Sequence, residues 1–304
     1  MSGGRRLRPV LTQRLLIVMA SALMVLTAAC SASAPARNAA EAAADRASPV
    51  VMHRHRVAAS GEITLSFAGD VHFAGRVARL LKNPATTFGP ITSVLKPADF
   101  TAVNLETPVT SRGQPQPKTY HFAATPGAFT ALRDAGVDLV TMANNHILDY
   151  GQTGLADTLA AAKAAHFPFV GAGVNAAAAW APYVTTINGT EIAIVGVSQV
   201  AELALSWVAT ASRPGEANAI NPGQTLAAVR AAKRLARIVI VFMHWGTEGM
   251  ACADQNQLSL APRLAAAGES VHDAGNLPGA STSFGLLSEA HQRISTKGPW
   301  LKTL

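Results

Sequence analysis

Cysteine is scarce in this 304-residue sequence, which contains Cys30 and Cys252 and no others. Two cysteines cannot form the disulfide framework that holds many small secreted proteins together, so the fold has to depend on a hydrophobic core. Charged residues are also few, at 14% of the chain against 49% hydrophobic residues. This composition, without any repeat array, favours one large folded domain with appendages.

Acidic residues are absent from the first 29 positions. The same segment contains four arginines, Arg5, Arg6, Arg8 and Arg14. An apolar run over residues 15–26 follows them and leads through small residues to Cys30. This order of charged, apolar and small residues predicts an export signal over residues 1–30.

The apolar run is short for a membrane anchor, because a bilayer core of ~30 Å requires roughly 20 apolar residues in a helix. We therefore predict a signal peptide. The small residues ahead of Cys30 are typical of a lipoprotein signal, which makes Cys30 the predicted lipidation site. Simple cleavage remains an alternative, because Thr27 occupies a position where such signals usually carry leucine. The protein is expected to be exported, either anchored to the cell membrane or free outside the cytoplasm.

Basic charge is concentrated in the predicted signal. The formal net charge is +7, and without the four arginines of the signal the excess of basic residues falls to three. The high isoelectric point therefore gives no reason to expect a nucleic acid as a partner. The membrane, reached through the N-terminal lipid or signal, is the partner that this segment predicts.

Residues 31–60 are rich in alanine, serine, proline and arginine and show no apolar periodicity, which is typical of a flexible linker. The folded domain is predicted over residues 61–268. It opens on an alternating strand at residues 62–68, and further strands are predicted at residues 100–105, 137–143, 167–170, 191–197 and 238–244. Helices are predicted at residues 127–135, 155–165, 225–236 and 255–267. Alternating strands and helices predict an α/β fold.

One pair of strands is expected to be antiparallel. The runs at residues 183–187 and 191–197 are joined through Asn188 and Gly189, a dipeptide that tolerates positive φ angles at both turn positions. This predicts a β-hairpin, so the sheets are expected to be mixed.

Polar residues gather at the ends of four predicted strands. They are Asp70 and His72; Asn104 and Glu106; Asn144, Asn145, His146 and Asp149; and His244 and Glu248. Ligands of open α/β sheets bind at the carboxyl ends of strands, and carboxylate, amide and imidazole groups suit Mn, Fe, Zn or Mg ions. We therefore predict a metal centre. Asn144 and Asp149 could equally be turn and N-cap residues of the helix that follows.

Four segments resemble the motifs of one family. Residues 69–72 (Gly-Asp-Val-His) are similar to the first metallophosphoesterase motif, and residues 103–108 resemble the CapA version of the second. Residues 143–151 resemble the third and residues 244–248 the fourth. The sequence therefore resembles the CapA family, exported proteins of poly-γ-glutamate capsule synthesis that have a calcineurin-like metallophosphoesterase fold.

The resemblance implies an αββα arrangement, in which mixed β-sheets are flanked by helices, and it assigns roles to site residues. Asp70 and His72 would bind a first metal, Glu106 would bridge, and Asn145 and His244 would bind a second. His146 would act as general acid or phosphate ligand, with Asp149 orienting it.

The resemblance also implies a role in making, exporting or anchoring poly-γ-glutamate or a related surface polymer, with a metal-dependent hydrolase site if the protein is an enzyme. Two alternatives stay open. One is an exported metal-dependent phosphoesterase that acts on a phosphoester substrate unrelated to capsule. The other is a noncatalytic surface protein that binds the polymer.

The resemblance ends at Gly268. Family members continue with an apolar strand and a Gly-His-x-His motif, whereas residues 269–304 lack both. We interpret these residues as an atypical tail that replaces the end of the domain through truncation or a shifted reading frame. The expected consequences are an unpaired edge beside the 238–244 strand and fewer than two tightly bound metal ions. His272 and His291 are the downstream histidines that could replace the missing ligands.

Lipidation of Cys30 can be tested by metabolic labelling with a fatty acid. We expect the wild type and Cys252→Ala to take up label and Cys30→Ala to take up none, because a thioether-linked lipid requires the Cys30 thiol. Equal labelling of the wild type and Cys30→Ala would show that the lipoprotein prediction is wrong.

Overall fold

The computed structural model describes residues 63–250, 252–268, 271–274, 289–294 and 302–303, the last three segments as backbone strands. The predicted signal, the linker and Cys30 lie outside the described residues. The strands are β1 Ile63–Val71, β2 Phe100–Leu105, β3 Leu139–Thr141, β4 Phe169–Val170, β5 Ala172–Gly173, β6 Tyr183–Ile187, β7 Thr190–Ser198, β8 Gly215–Glu216, β9 Ile238–His244, β10 Val271–Ala274, β11 Glu289–Ile294 and β12 Lys302–Thr303.

The helices lie mainly between the strands. They are α1 Thr92–Leu95, α2 Gly127–Asp134, α3 Gly151–Ala164, α4 Ala176–Ala179, α5 Ala204–Trp207, α6 Pro222–Lys233 and α7 Gln255–Ala267. Short 3₁₀ helices at Gly75–Lys82, Pro84–Thr86 and Gly89–Ile91 connect β1 to α1. Within the part of the chain that the structure describes, no helix is both long and apolar enough to cross a membrane.

The strands form two main sheets, both mixed. The first has the order β12-β11-β1-β2-β3-β4, in which β1 to β4 are parallel and β11 and β12 are antiparallel to their neighbours. The second has the order β10-β9-β7-β6, in which β6 is antiparallel to β7. Strands β5 and β8 form a small antiparallel pair.

The two sheets pack face to face with helices on their outer faces. Alternate residues of β1, such as Ile63 and Leu65, lie in one apolar cluster with Ile194 of β7 and Ile240 of β9. The other face of the first sheet packs against α2 and α3, and the other face of the second packs against α6 and α7. Strands buried on both faces read as nearly continuous apolar runs, as β9 does. The layers are therefore αββα, as the family resemblance implied.

The sheets approach closely near the carboxyl ends of their strands. Gly196 of β7 lies against Thr141 of β3, and a Cβ atom at Gly196 would be 2.4 Å from Thr141 Oγ1. Any side chain at Gly196 would force the sheets apart here, so this glycine allows side chains from the two sheets to meet at a shared edge.

Most predicted elements are confirmed, including the hairpin. Strands β6 and β7 pair antiparallel around Asn188 and Gly189, whose φ angles are 46° and 80°. Strand β4 is shorter than predicted because Pro168 has no N–H to donate to a ladder. Strand β3 is also shorter, at three residues.

The tail differs from the expectation that it forms no strand. Strand β10 pairs in parallel with β9, so the edge of β9 is paired over four residues, and β11 pairs with β1. An edge strand offers free N–H and C=O groups to any extended segment, and this pairing requires no apolar pattern in the partner. The register sets His272 opposite Val241 and His291 opposite Ser66. Val241 and Ser66 each lie at least three residues before the site residue of the same strand, His244 and Asp70 respectively.

Cys252 is exposed and lies shortly before α7, which begins at Gln255.

The hairpin turn provides a test of the fold. Gly189→Ala should lower the free energy of unfolding by about 1 kcal/mol, because a side chain at φ 80° is strained although open space surrounds the position. Urea unfolding followed by circular dichroism measures the change. Gly127→Ala is the control, because at the start of α2 the nearest atom to an added Cβ is 3.5 Å away. We expect this variant to be as stable as the wild type or slightly more stable, and an undiminished stability of Gly189→Ala would contradict the turn geometry.

Candidate metal centre

The register of β1 shifts against β2 at Gly69, next to the first candidate ligand. Ala68 pairs with Val103, and Asp70 pairs with Asn104. An extra residue on one strand bends it and re-aims the following side chain. Asn104 Nδ2 then donates to Asp70 Oδ1 at 2.7 Å.

Three residues at the carboxyl ends of strands form the centre of the site. One ligand atom each of Asp70, Glu106 and His244 lies within 4.8 Å of the other two. His244 Nδ1 is 3.5 Å from Asp70 Oδ1, and His244 Nε2 is 3.5 Å from Glu106 Oε1. Asp70 and Glu106 belong to the first sheet and His244 to the second, so the site exists only where the sheets meet.

The charges of these groups shift each other's ionisation. Burial and the nearby Asp70 charge raise the pKa of Glu106 to about 8. Burial alone would lower the pKa of His244, but the charges of Asp70 and Glu106 outweigh it and raise this pKa to about 9. Burial would raise the pKa of Asp70, yet the His244 charge and the hydrogen bond from Asn104 leave it below its usual value. Two partly buried carboxyl groups facing one imidazole form a place where positive charge is favoured.

Asn145 adds an amide oxygen to this group. Its Oδ1 lies 2.9 Å from His244 Nε2, and its Nδ2 donates to Glu202 Oε2 at 3.2 Å. The preceding Asn144 is fully buried and donates through Nδ2 to Asn104 Oδ1 at 2.9 Å. Helix α3 begins at Gly151 without a side-chain cap, so Asn144 and Asp149 are not its N-cap residues.

His146 is held by Asp149. His146 Nδ1 is 2.7 Å from Asp149 Oδ2, and this carboxylate also accepts from the Phe122 N–H at 2.7 Å. A carboxylate only accepts, so Nδ1 carries the proton and Nε2 is left facing Glu106 Oε1 at 4.0 Å. Burial lowers the pKa of His146 in spite of the Asp149 charge. The ring is therefore neutral at neutral pH, with its free nitrogen toward the site.

His72 stands apart from the three-residue group. Its ring stacks on Phe122 at a centroid distance of 4.5 Å, and Phe122 stacks on His146 at 4.0 Å. His72 Nδ1 accepts from the Ala74 N–H at 3.3 Å. The structure thus brings His72 to the wall of the site, while its predicted pairing with Asp70 on one ion remains a prediction.

Three charged residues of the site carried no signal in the sequence. Lys118, whose side chain is 2% exposed, lies in an irregular segment with Nζ 3.0 Å from Asp149 Oδ1 and 3.0 Å from Glu202 Oε2. Glu216 is buried on β8, where it accepts from Asn218 Nδ2 at 2.8 Å, and burial raises its pKa to about 8. Charged residues are usually exposed, so nothing in the sequence distinguished Lys118, Glu202 and Glu216 from ordinary surface charges.

The residues present fit a divalent cation. Two carboxylates, an imidazole and an amide oxygen are ligands that Mn, Fe, Zn and Mg accept, and a dication would compensate the facing carboxylates of Asp70 and Glu106. Among the described histidine, cysteine and carboxylate side chains, Asp70, Glu106 and His244 are the group whose ligand atoms all lie within 4.8 Å of one another.

The distances given above thus bring six of the predicted residues together: Asp70, Glu106, Asn145, His146, Asp149 and His244. Glu248 is exposed beyond β9. The separation between Asp70 and His244 in sequence is bridged by the packing of the two sheets.

Comparisons with known proteins agree with the motifs. The model of the family described as "Bacterial capsule synthesis protein PGA_cap" matches residues 64–272. "Capsule biosynthesis protein CapA" of Bacillus anthracis is 29% identical over 220 residues, which are 69% of this chain and 53% of that protein. A Mycobacterium tuberculosis protein named "Probable polyglutamine synthesis accessory protein" is 34% identical over 184 residues, 57% of this chain and 48% of its own. The chain spans about half the length of the curated relatives it matches.

A similar solved structure is a putative 5′-nucleotidase from Staphylococcus aureus in complex with α-ketoglutarate. It is 14% identical, with a TM-score of 0.37, and the match covers 62% of this chain and 38% of that one. The αββα architecture follows from this chain's own sheets and helices.

The pKa shifts generate a test on the metal-free protein. The pKa values of Glu106 and His244 are higher in the folded protein than their ordinary values, so both groups bind protons more tightly in the folded state. The stability that these protons contribute therefore falls as pH rises from about 5 to 9. A cation competes with those protons. We expect the increase in melting temperature caused by Mn²⁺ to grow between pH 6 and pH 9. A shift that is constant over this range would show that these two groups do not hold the ion.

Proposed function

The chain belongs to the bacterial capsule synthesis protein family, and from this membership we propose that it acts in the synthesis, export or anchoring of poly-γ-glutamate or a related surface polymer through a metal-dependent hydrolase site. The observation that carries the proposal is the convergence of Asp70, Glu106 and His244 from two sheets, beside the oriented imidazole of His146.

Asp70, Glu106, Asn145 and His244 would hold one divalent ion tightly. When bound, such an ion supplies Lewis-acid activation of a water molecule and of the phosphoryl or carbonyl group to be cleaved. The Asn104 amide keeps the Asp70 carboxylate in place, and the close packing at Gly196 keeps His244 within reach of it.

His146 is suited to proton transfer. Asp149 fixes its Nδ1–H tautomer, and the neutral ring can accept a proton at Nε2 and then return it to a leaving group. Phe122 stacks on one face of the ring and limits the access of water from that side. His146 is the proposed general acid and base, and Asp149 positions it.

The proposed polymer role is supported by the names of the relatives, which refer to capsule and polyglutamine synthesis. The proposed export, with the lipid at Cys30 as anchor, would place the site on the side of the membrane where a capsule is built. A phosphoester or an amide-like bond is the proposed substrate bond.

Purified protein can be tested with Mn²⁺ and a chromogenic phosphodiester, alongside a binding assay with poly-γ-glutamate. His244→Ala should bind Mn²⁺ at least tenfold more weakly, because a ligand is lost. His146→Gln should keep the Mn²⁺ affinity while the rate falls by about 10²–10⁴-fold, the contribution of a general acid or base. His166→Asn is the control, since His166 is exposed with a φ of 48° that asparagine also adopts, and it should change neither quantity.

The outcomes separate the candidate functions. Binding of polymer without turnover of phosphodiester, in a protein that binds Mn²⁺, would favour a noncatalytic polymer-binding protein. Turnover without polymer binding would favour a phosphoesterase unrelated to capsule. A wild type that binds no Mn²⁺ would refute the metal centre itself, and two tightly bound ions per chain would refute the single-ion stoichiometry.

A further inference from the structure

The orientation of the Asn145 side chain depends on a residue outside the predicted motifs. An asparagine amide can present either its oxygen or its nitrogen to a site, and only the oxygen can bind a cation. Here Oδ1 points to His244 Nε2 at 2.9 Å, and Nδ2 points to Glu202 Oε2 at 3.2 Å. The carboxylate of Glu202 is an acceptor only, so it selects the nitrogen end of the amide.

Glu202 is itself held in place. Its Oε2 lies 3.0 Å from Lys118 Nζ, and the same ammonium group donates to the backbone carbonyl of Asn145. The buried Lys118 therefore fixes both the backbone of Asn145 and the carboxylate that turns its side chain. The ring of Trp207 lies beneath this ammonium at 5.3 Å and adds a cation–π contact.

The backbone next to Glu202 is strained in a way that fits a positioning role. Leu203 has a φ of 52°, which is rare for a residue with a bulky side chain. Its carbonyl accepts from the Ser206 N–H at 2.9 Å, from Ser206 Oγ at 2.8 Å and from the Trp207 N–H at 3.1 Å. The first turn of α5 thus over-determines the conformation that carries Glu202 to Asn145.

We propose that Glu202 is a positioning residue, which turns the Asn145 amide so that its oxygen faces the Asp70, Glu106 and His244 group and can bind a divalent cation. The inference rests on the proposed metal centre and extends it to a residue that does not touch the ion. Glu202 acts through Asn145, and Lys118 holds Glu202.

Glu202 is suited to mutation, because its side chain is 40% exposed and its removal leaves no buried cavity. Glu202→Ala should weaken Mn²⁺ binding about tenfold, which is the usual scale for loss of a residue that orients a metal ligand. Isothermal titration calorimetry with Mn²⁺ alone measures this affinity. Glu191→Ala is the matched control, because it removes an exposed carboxylate at the start of β7, at the opposite end of the strand from Ser198, and should leave the affinity unchanged.

The mechanism is tested in a second background. In Asn145→Asp both side-chain oxygens are equivalent, so nothing remains to be oriented. Adding Glu202→Ala to this variant should therefore weaken Mn²⁺ binding by less than about twofold, which is well below the roughly tenfold effect of losing a residue that orients a ligand. If Glu202 acted only through its negative charge, its removal would weaken Mn²⁺ binding equally in both backgrounds. That result, or an unchanged affinity of Glu202→Ala in the wild-type background, would overturn the inference.

A measurement without metal separates this inference from the proposed function. The side-chain NH₂ signal of Asn145, assigned by its disappearance in Asn145→Asp, should exchange with water slowly in the wild type and several-fold faster in Glu202→Ala. Equal exchange rates would overturn the orienting role even if Mn²⁺ binds. Different rates in a protein that binds no Mn²⁺ would uphold the orientation of the amide and refute the metal centre.

Discussion

The hydrogen bonds of the Asn104 side chain hold the residues of the candidate metal centre in place. This side chain is fully buried, its Nδ2 donates to Asp70 Oδ1 and lies 3.2 Å from His244 Nδ1, and its Oδ1 accepts from Asn144. One amide thereby links three strand ends of two sheets. Its replacement by an apolar residue would leave buried polar groups without partners, each at a cost of about 1–3 kcal/mol. An uncharged residue that is not itself a candidate metal ligand therefore sets the geometry of the candidate centre.

Negative charge is concentrated around Asn104, and the carboxylates there do not all have the same number of positively charged partners. Asp149 is buried with Lys118 and His146 as partners, so its charge is balanced inside the fold. Asp70 and Glu106 both face His244. The Asp70 charge raises the pKa of Glu106, whereas a hydrogen bond with Glu106 lowers the pKa of Asp70. Asp70 and Glu106 lie where the strands end, and Asp149 orients the imidazole of His146 beside them, which is a division of roles that suits the proposed metal centre.

The sequence predicted the architecture and most of the site because both depend on local patterns. Alternation gave β1, the Asn188-Gly189 dipeptide predicted the hairpin, and polar residues after apolar strands identified Asp70, Glu106 and His244. The register shift at Gly69 was not predictable, since a single extra residue leaves no trace in an apolar pattern. Lys118 and Glu202 were missed because they lie in segments without periodicity, and their importance comes from contacts with residues 27 and 57 positions away in sequence. The strands of the tail were missed because backbone pairing at an edge requires no side-chain signal.

The distance between Asp70 and His244 also makes the centre a reporter of sheet packing. The two residues lie on different sheets, and the apolar layer between those sheets, with Phe67 against Phe242 at 6.0 Å, sets how far apart they are. Close-packed cores transmit small displacements instead of absorbing them, so a loosened contact in this layer moves His244 relative to Asp70 and Glu106. A ligand group spread over one sheet would tolerate such a change, because its members would move together. The geometry of the candidate centre therefore depends on the integrity of the inter-sheet core, and substitutions far from any charged residue can disturb it.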